Sequence, residues 1–206
     1  MMQGKFIVLD GMDGAGKTTQ VMKLVEYIFK KDKRNHIVLT REPYASEFGL
    51  EIRRLLAEST DPMQNGPRMT ELYVNDRKIH VEKIITPSLA KGMQVLCDRY
   101  KYSTLAYQQT QGIPLQKLIE MHKGMPIPDL ALIFELPAQI AIERLTKDSI
   151  RKRKEVFERI EFQEKLRHNY LALKDQLPNE NIVIIDASKS VEEMFSQIKV
   201  ETDKIL

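Results

Sequence analysis

The 206 residues contain a single cysteine, Cys97. No internal disulfide can form, and a reducing compartment is the expected setting. Cys97 lies in an apolar run, where a buried thiol is expected rather than a nucleophile. No apolar stretch approaches the ~20 residues that span a bilayer. Residues 1–11, MMQGKFIVLDG, pass directly into a strand pattern, so no signal peptide is expected and a cytoplasmic location is. Internal repeats, low-complexity tracts and Gly/Ser linkers are missing too, which favours one domain over residues 1–206. The four histidines lack metal-ligand spacing, and no Ser–His–Asp arrangement is readable. Neither sign of charge dominates. Lys and Arg number 32 against 29 Asp and Glu, a net +3 that suits an anionic small ligand as well as nucleic acid and decides little.

What is present is an alternation. Short apolar runs at 6–10, 36–41, 94–98, 129–135 and 181–186 read as strands. Helical patterns fall between and after them, near 18–31, 47–58, 68–91, 103–111, 115–123, 137–146, 157–176 and 190–204. Strands alternating with helices imply an α/β fold whose parallel sheet is covered on both faces.

The first strand runs into Gly11-Met12-Asp13-Gly14-Ala15-Gly16-Lys17-Thr18, a full match to G-x-x-x-x-G-K-[ST] between a strand and a helix. Glycines permit the tight turns that aim successive N–H groups at phosphate oxygens. The helix amino end adds partial positive charge. Lys17 is expected on the outer phosphates and Thr18 on magnesium. Residues Gly11 to Thr18, with Thr19, form the expected ATP-binding loop. The loop leaves two classes open, a phosphoryl-transfer enzyme and a nucleotide-operated switch. A GTP switch normally carries N-K-x-D and D-x-x-G segments, and neither follows the loop.

Further segments close other strands: TREP at 40–43, and DRY at 98–100 followed by STLAYQ at 103–108. LYVNDR occupies 72–77, and PIPD at 126–129 precedes a strand. Strand carboxyl ends are where open α/β sheets bind ligands. Together with GMDGAGKTTQ, PIPDLALIFEL and FERIEFQEKLRHNYLAL, these segments resemble the thymidylate kinases, a branch of the nucleoside monophosphate kinases. The resemblance extends over about residues 5–186. It implies a P-loop NTPase-type five-stranded parallel sheet flanked by helices, with a short mobile lid at about 148–157. It also implies transfer of a phosphoryl group from ATP to dTMP with Mg2+, for dTTP synthesis, and commonly a homodimer, with no nucleic-acid or membrane partner. The apolar faces near 47–58 and 68–86 are the expected dimer contact. A kinase of another nucleoside monophosphate or a deoxynucleoside is the alternative enzyme.

By that resemblance Asp13 contacts the acceptor sugar, Tyr73 stacks on thymine and Arg77 hydrogen-bonds the base. Arg99 clamps the acceptor phosphate with a planar guanidinium, and Arg41 joins it. Thr104 and Tyr107 share a helix face, with Tyr107 under the deoxyribose and Gln108 beside it. Glu42 completes the acceptor set, and Asp98 joins Thr18 at magnesium or orients Arg99. On pattern alone, Tyr73 also reads as a core aromatic, Arg77 as a solvated arginine, Asp98 as a plain strand-end acid and Glu42 as a turn acid before Pro43. The segment departs from TREPGG, because Tyr44 and Ala45 replace the glycines, so different backbone contacts are expected there.

Family members supply a catalytic arginine from the phosphate loop or from the lid. Here the loop position is Gly14. The basic run at 148–154, DSIRKRK, is then the expected source, through Arg151 and Arg153. By itself such a run also reads as a solvated face, a nuclear signal or a nucleic-acid patch. Glu158 matches a lid-side acid near the acceptor sugar. Arg144 is expected against adenine, with residues 187–189 bordering the base.

Overall fold

The computed structural model describes residues 4–59, 61, 63–147 and 159–206. Arg151, Arg153, Glu158 and the 148–157 lid lie outside the described residues.

Five strands form one parallel sheet: β1 (Phe6–Gly11), β2 (Ile37–Arg41), β3 (Gln94–Asp98), β4 (Leu130–Glu135) and β5 (Ile182–Asp186), in the order β2-β3-β1-β4-β5. Every residue of β1 is buried. Successive strand side chains point to opposite faces, so both faces of the sheet are covered there. The helices are α1 (Lys17–Lys31), α2 (Glu47–Glu58), α3 (Gly66–His80), α4 (Thr86–Ala90), α5 (Lys101–Thr110), α6 (Leu115–Met121), α7 (Ala138–Lys147), α8 (Ile160–Gln176) and α9 (Val191–Asp203). The covering pairs are α1 with α9 and α5 with α8.

The single pattern at 68–91 resolves into α3, a π turn at Val81–Ile85 and α4. Pro87 lies in the first turn of α4. Its ring lacks an N–H and crowds the carbonyl four residues back, and a π turn is a known accommodation within a continuous helix. Apart from the main core, Ile52, Met69 and Leu72 form a small cluster between α2 and α3, packed against Phe48, Leu55, Leu56 and Tyr73.

In the register, Leu9 lies opposite Asp98, and Arg41 pairs with that same Asp98. The phosphate loop, the TREP turn and the DRY turn therefore leave the sheet side by side.

Candidate active site

The phosphate loop begins at Gly11, the last residue of β1, which pairs with Phe134 of β4. A Cβ on Gly11 would stand 2.2 Å from the Phe134 carbonyl oxygen, and Gly11 has φ +130; only glycine fits. Gly16 caps α1 in the left-handed region, φ 81. Between them the Lys17 ammonium is buried and donates to the carbonyls of Gly11 (3.1 Å) and Met12 (2.6 Å). Burial, reinforced by the Arg99 cation, lowers its pKa to about 8. Gln20 of α1 donates to the Val191 carbonyl at 2.9 Å. Arg144 of α7 donates to the Ala187 carbonyl at 2.9 Å. The side chain expected against adenine thus meets the 187–189 turn.

Thr18 donates its hydroxyl hydrogen to Asp98 at 3.2 Å. An alcohol and a carboxylate this close, next to a phosphate loop, suit a hard divalent cation that keeps water and phosphate oxygens. Among the described residues no three His, Cys, Asp or Glu side chains converge as a metal cage.

Arg99 joins the loop to the second half of the site. Its guanidinium donates to the Gly11 carbonyl (3.1 Å), to the Ser103 hydroxyl (2.8 Å) and to Asp13. The other Asp13 oxygen accepts from the Tyr107 hydroxyl at 3.0 Å. The backbone at Arg99 is left-handed, φ 71, an uncommon conformation for a residue with a side chain. The turn is held by Asp10, which accepts from the backbone N–H groups of Gly11, Tyr100 and Ser103 and from the hydroxyls of Ser103 and Tyr170. Burial, and then the adjacent Asp10, push the Tyr170 phenol well above its ordinary pKa, so it remains a neutral donor.

A cavity of about 290 Å³ opens beside this joint. Every acceptor-side residue expected from the sequence lines it except Glu158, which lies outside the described residues. Arg53 and Tyr100 line it as well. Arg77 is not solvated but 1% exposed, paired with Glu42 at 2.6 Å. Glu42 is likewise buried, with a second contact to His80 Nδ1 at 3.1 Å. Tyr73 is half-buried, lines the cavity and also packs on the α2–α3 cluster. Arg41 is exposed at the end of β2 and lines the rim. Gln108 is buried and donates to Gln111 at 3.2 Å, leaving its carbonyl oxygen without a partner among the described residues.

Where TREP departs from glycine, the backbone needs none. Among the described residues only Asn65 and Arg99 are non-glycine positions with positive φ, so Tyr44 and Ala45 stand in ordinary conformations. The Tyr44 ring stacks on His80, centroids 4.8 Å apart. Asp76 accepts from the Tyr44 N–H (2.7 Å) and the Ser46 hydroxyl; burial foremost raises its pKa.

Sequence reasoning missed Asp10, Arg53, His80 and His122. Asp10 left a signal, an acid closing an apolar strand. The histidines left none, because the Thr40, Glu42 and Arg77 side chains that they meet are 38 or more residues away.

The model of the thymidylate kinase family matches residues 9–198. The chain is 41% identical over 203 residues to "Probable thymidylate kinase" of Pyrococcus horikoshii, covering 96% of this chain and 95% of that protein. It is 42% identical to the protein of the same name from Thermococcus onnurineus, with 94% of each covered. It is 34% identical to "Thymidylate kinase" of Caldicellulosiruptor saccharolyticus, covering 100% of this chain and 98% of that protein.

Proposed function

The chain belongs to the thymidylate kinase family and is a phosphotransferase; from that premise we propose that it transfers the γ-phosphoryl group of ATP to dTMP, giving ADP and dTDP for dTTP synthesis. The observation that carries the reading is the Asp13–Arg99 joint. One arginine touches the phosphate-loop carbonyl of Gly11 and lines the neighbouring cavity, so donor and acceptor phosphates would meet at its guanidinium.

The roles follow from chemistry. The N–H groups of residues 11–19 and the Lys17 ammonium hold the donor phosphates. Thr18 and Asp98 would hold Mg2+, which neutralises charge on the β- and γ-phosphates. Arg99 and Arg41 clamp the acceptor phosphate. Tyr73 offers its face to the base, and Tyr107, tied to Asp13, fills the place of a ribose 2′-hydroxyl. Arg77 and Thr104 address the base edge. The open Gln108 carbonyl suits the imide N–H of thymine and opposes cytosine, whose corresponding nitrogen is an acceptor. Asp13, Glu42 and Glu158 complete the acceptor side. Arg144 flanks adenine.

Gly14 leaves the loop without a second cation, so Arg151 and Arg153 supply the charge on the transferring group from a lid at about 148–157. We read one kinase domain over residues 1–206, cytoplasmic, and a homodimer joined through the apolar faces of α2 and α3. Among the described residues no helix is long and apolar enough to cross a membrane.

The test is ADP release from ATP and Mg2+ with dTMP, dUMP, UMP, CMP, AMP or GMP as acceptor. A clear preference for dTMP is expected. Another preferred acceptor overturns the substrate, and no stimulation by any of them returns the protein to the switch class. Arg151→Ala lowers kcat by about a thousandfold with little change in the KM for dTMP. A comparable loss in both would make Arg151 a binding residue. The Arg151→Ala/Arg153→Ala pair checks that neither stands in for the other.

A further inference from the structure

We infer that His122 is a positioning residue for the acceptor base, holding the Arg77 guanidinium in the one orientation that presents a free N–H to the cavity. The inference rests on the reading above that Arg77 addresses the base.

An arginine carries five N–H donors in a rigid plane. Arg77 commits four of them. Nε and one Nη2 hydrogen go to Glu42 (2.7 and 2.6 Å), the other Nη2 hydrogen goes to Thr104 Oγ1 (3.2 Å), and one Nη1 hydrogen goes to His122 Nε2. The anchors come from three places: the turn after β2, α5, and the residue that ends α6. Among the described residues one Nη1 hydrogen is left for a group inside the cavity that Arg77 lines.

The His122 ring can play this part in one tautomer only. Its Nδ1 lies 2.7 Å from the Leu118 carbonyl. A carbonyl only accepts, so Nδ1 carries the hydrogen and Nε2 offers its lone pair to Arg77. Burial, then the Arg77 cation and the more distant Lys101 and Lys78, press the ring's pKa down to about 3, so the acceptor persists across the working pH range. Glu42 is oriented in the same way. His80 meets its second oxygen at 3.1 Å and the Thr40 hydroxyl at 2.7 Å. Remove the His122 acceptor and Arg77 loses the anchor on Nη1, the nitrogen that carries the free hydrogen. The plane is then held by Glu42, by Thr104 and by the Tyr100 ring, whose centroid lies 5.3 Å from the guanidinium carbon, with no hydrogen-bond anchor on Nη1 among the described residues.

Two measurements test this. In the wild-type full-length protein labelled with 15N-histidine, the ring signal that His122→Gln removes should report the Nδ1–H tautomer unchanged between pH 6 and 8. An Nε2–H tautomer or an imidazolium overturns the proposal without reference to activity. In steady-state kinetics, His122→Leu should raise the KM for dTMP about tenfold while kcat and the KM for ATP stay within about threefold. His122→Gln, which keeps an acceptor at the same reach, should recover most of the loss. An unchanged KM for dTMP in His122→Leu, or equal losses in the two variants, overturns it. A lowered melting temperature alone would mark a merely structural role. If His122→Leu does not fold, the tautomer decides. If the wild type ignores dTMP, the proposed function fails, and the tautomer still reports on His122.

Discussion

Lys17 shows how a single residue stores a functional cost. Its ammonium is buried with two carbonyls as hydrogen-bond partners, and its pKa is lowered from 10.5 to about 8. A lysine depressed this far costs the nucleotide-free protein about 3 kcal/mol at neutral pH. From pH 8 to 10.5 the unfolded chain retains a proton that the native ammonium has lost, so this term makes stability rise with pH through that window and is fully adverse below it. Lys17→Met should therefore melt above the wild type at pH 7, with the advantage shrinking by pH 10, as thermal unfolding of both proteins at the two pH values would show. Its turnover should fall at least a hundredfold. Bound phosphates would supply the missing counter-charge, which is the function of the strain. Glu42 and Arg77 were ambiguous by residue type, since an acid before proline and an arginine in a charged helix both usually face water. Their mutual burial settles which environment they occupy.

At the scale of elements, β1, β3 and β4 were legible because a short run of consecutive apolar residues suits a strand of a sheet covered on both faces. The π turn was not, because it answers the position of Pro87 within an otherwise regular helical pattern. The turn from β2 into α2 is a second case. Ser46 caps α2 by accepting from the Gly49 N–H at 3.1 Å, and also donates to Asp76 of α3. Gly49 has no φ requirement, yet a Cβ there would lie 1.9 Å from the Tyr44 carbonyl oxygen and 2.8 Å from Asp76. Backbone cannot yield at that distance, so Gly49→Ala should cost about 1–3 kcal/mol in urea unfolding. It should also raise the KM for dTMP by displacing Glu42 and Pro43 from the cavity wall, with the KM for ATP unchanged.

At the scale of the whole molecule, Asp10 is where the halves meet. From the end of β1 its carboxylate accepts from the loop that leads to the phosphates, from the turn that carries Arg99, and from Tyr170 of α8 at 3.0 Å. The side chain is fully buried, so Asp10→Asn turns an amide N–H toward groups that are themselves donors. The expected loss is about 3 kcal/mol or more, read by denaturant unfolding. The affinities for both nucleotides should weaken together, measured by calorimetry, because Arg99 loses its support. Intact affinities in a folded Asp10→Asn protein would show that the turn after β3 holds Arg99 without it.

The amino-acid order was enough to read the phosphate loop, the succession of strands and helices, the segments TREP and DRY that belong at strand ends and LYVNDR on a helix, because each is a local pattern in which spacing and residue type carry the physics. By resemblance to the family, Gly14 also marked a loop position where relatives place an arginine, which is the premise of the proposed lid role. The tertiary structure alone decided which of those residues share a cavity, that Arg77 and Glu42 are buried partners, and that His122 and His80 stand behind them. Those facts depend on which strand lies beside which and on water being excluded between distant segments, and neither is written in any short stretch of chain.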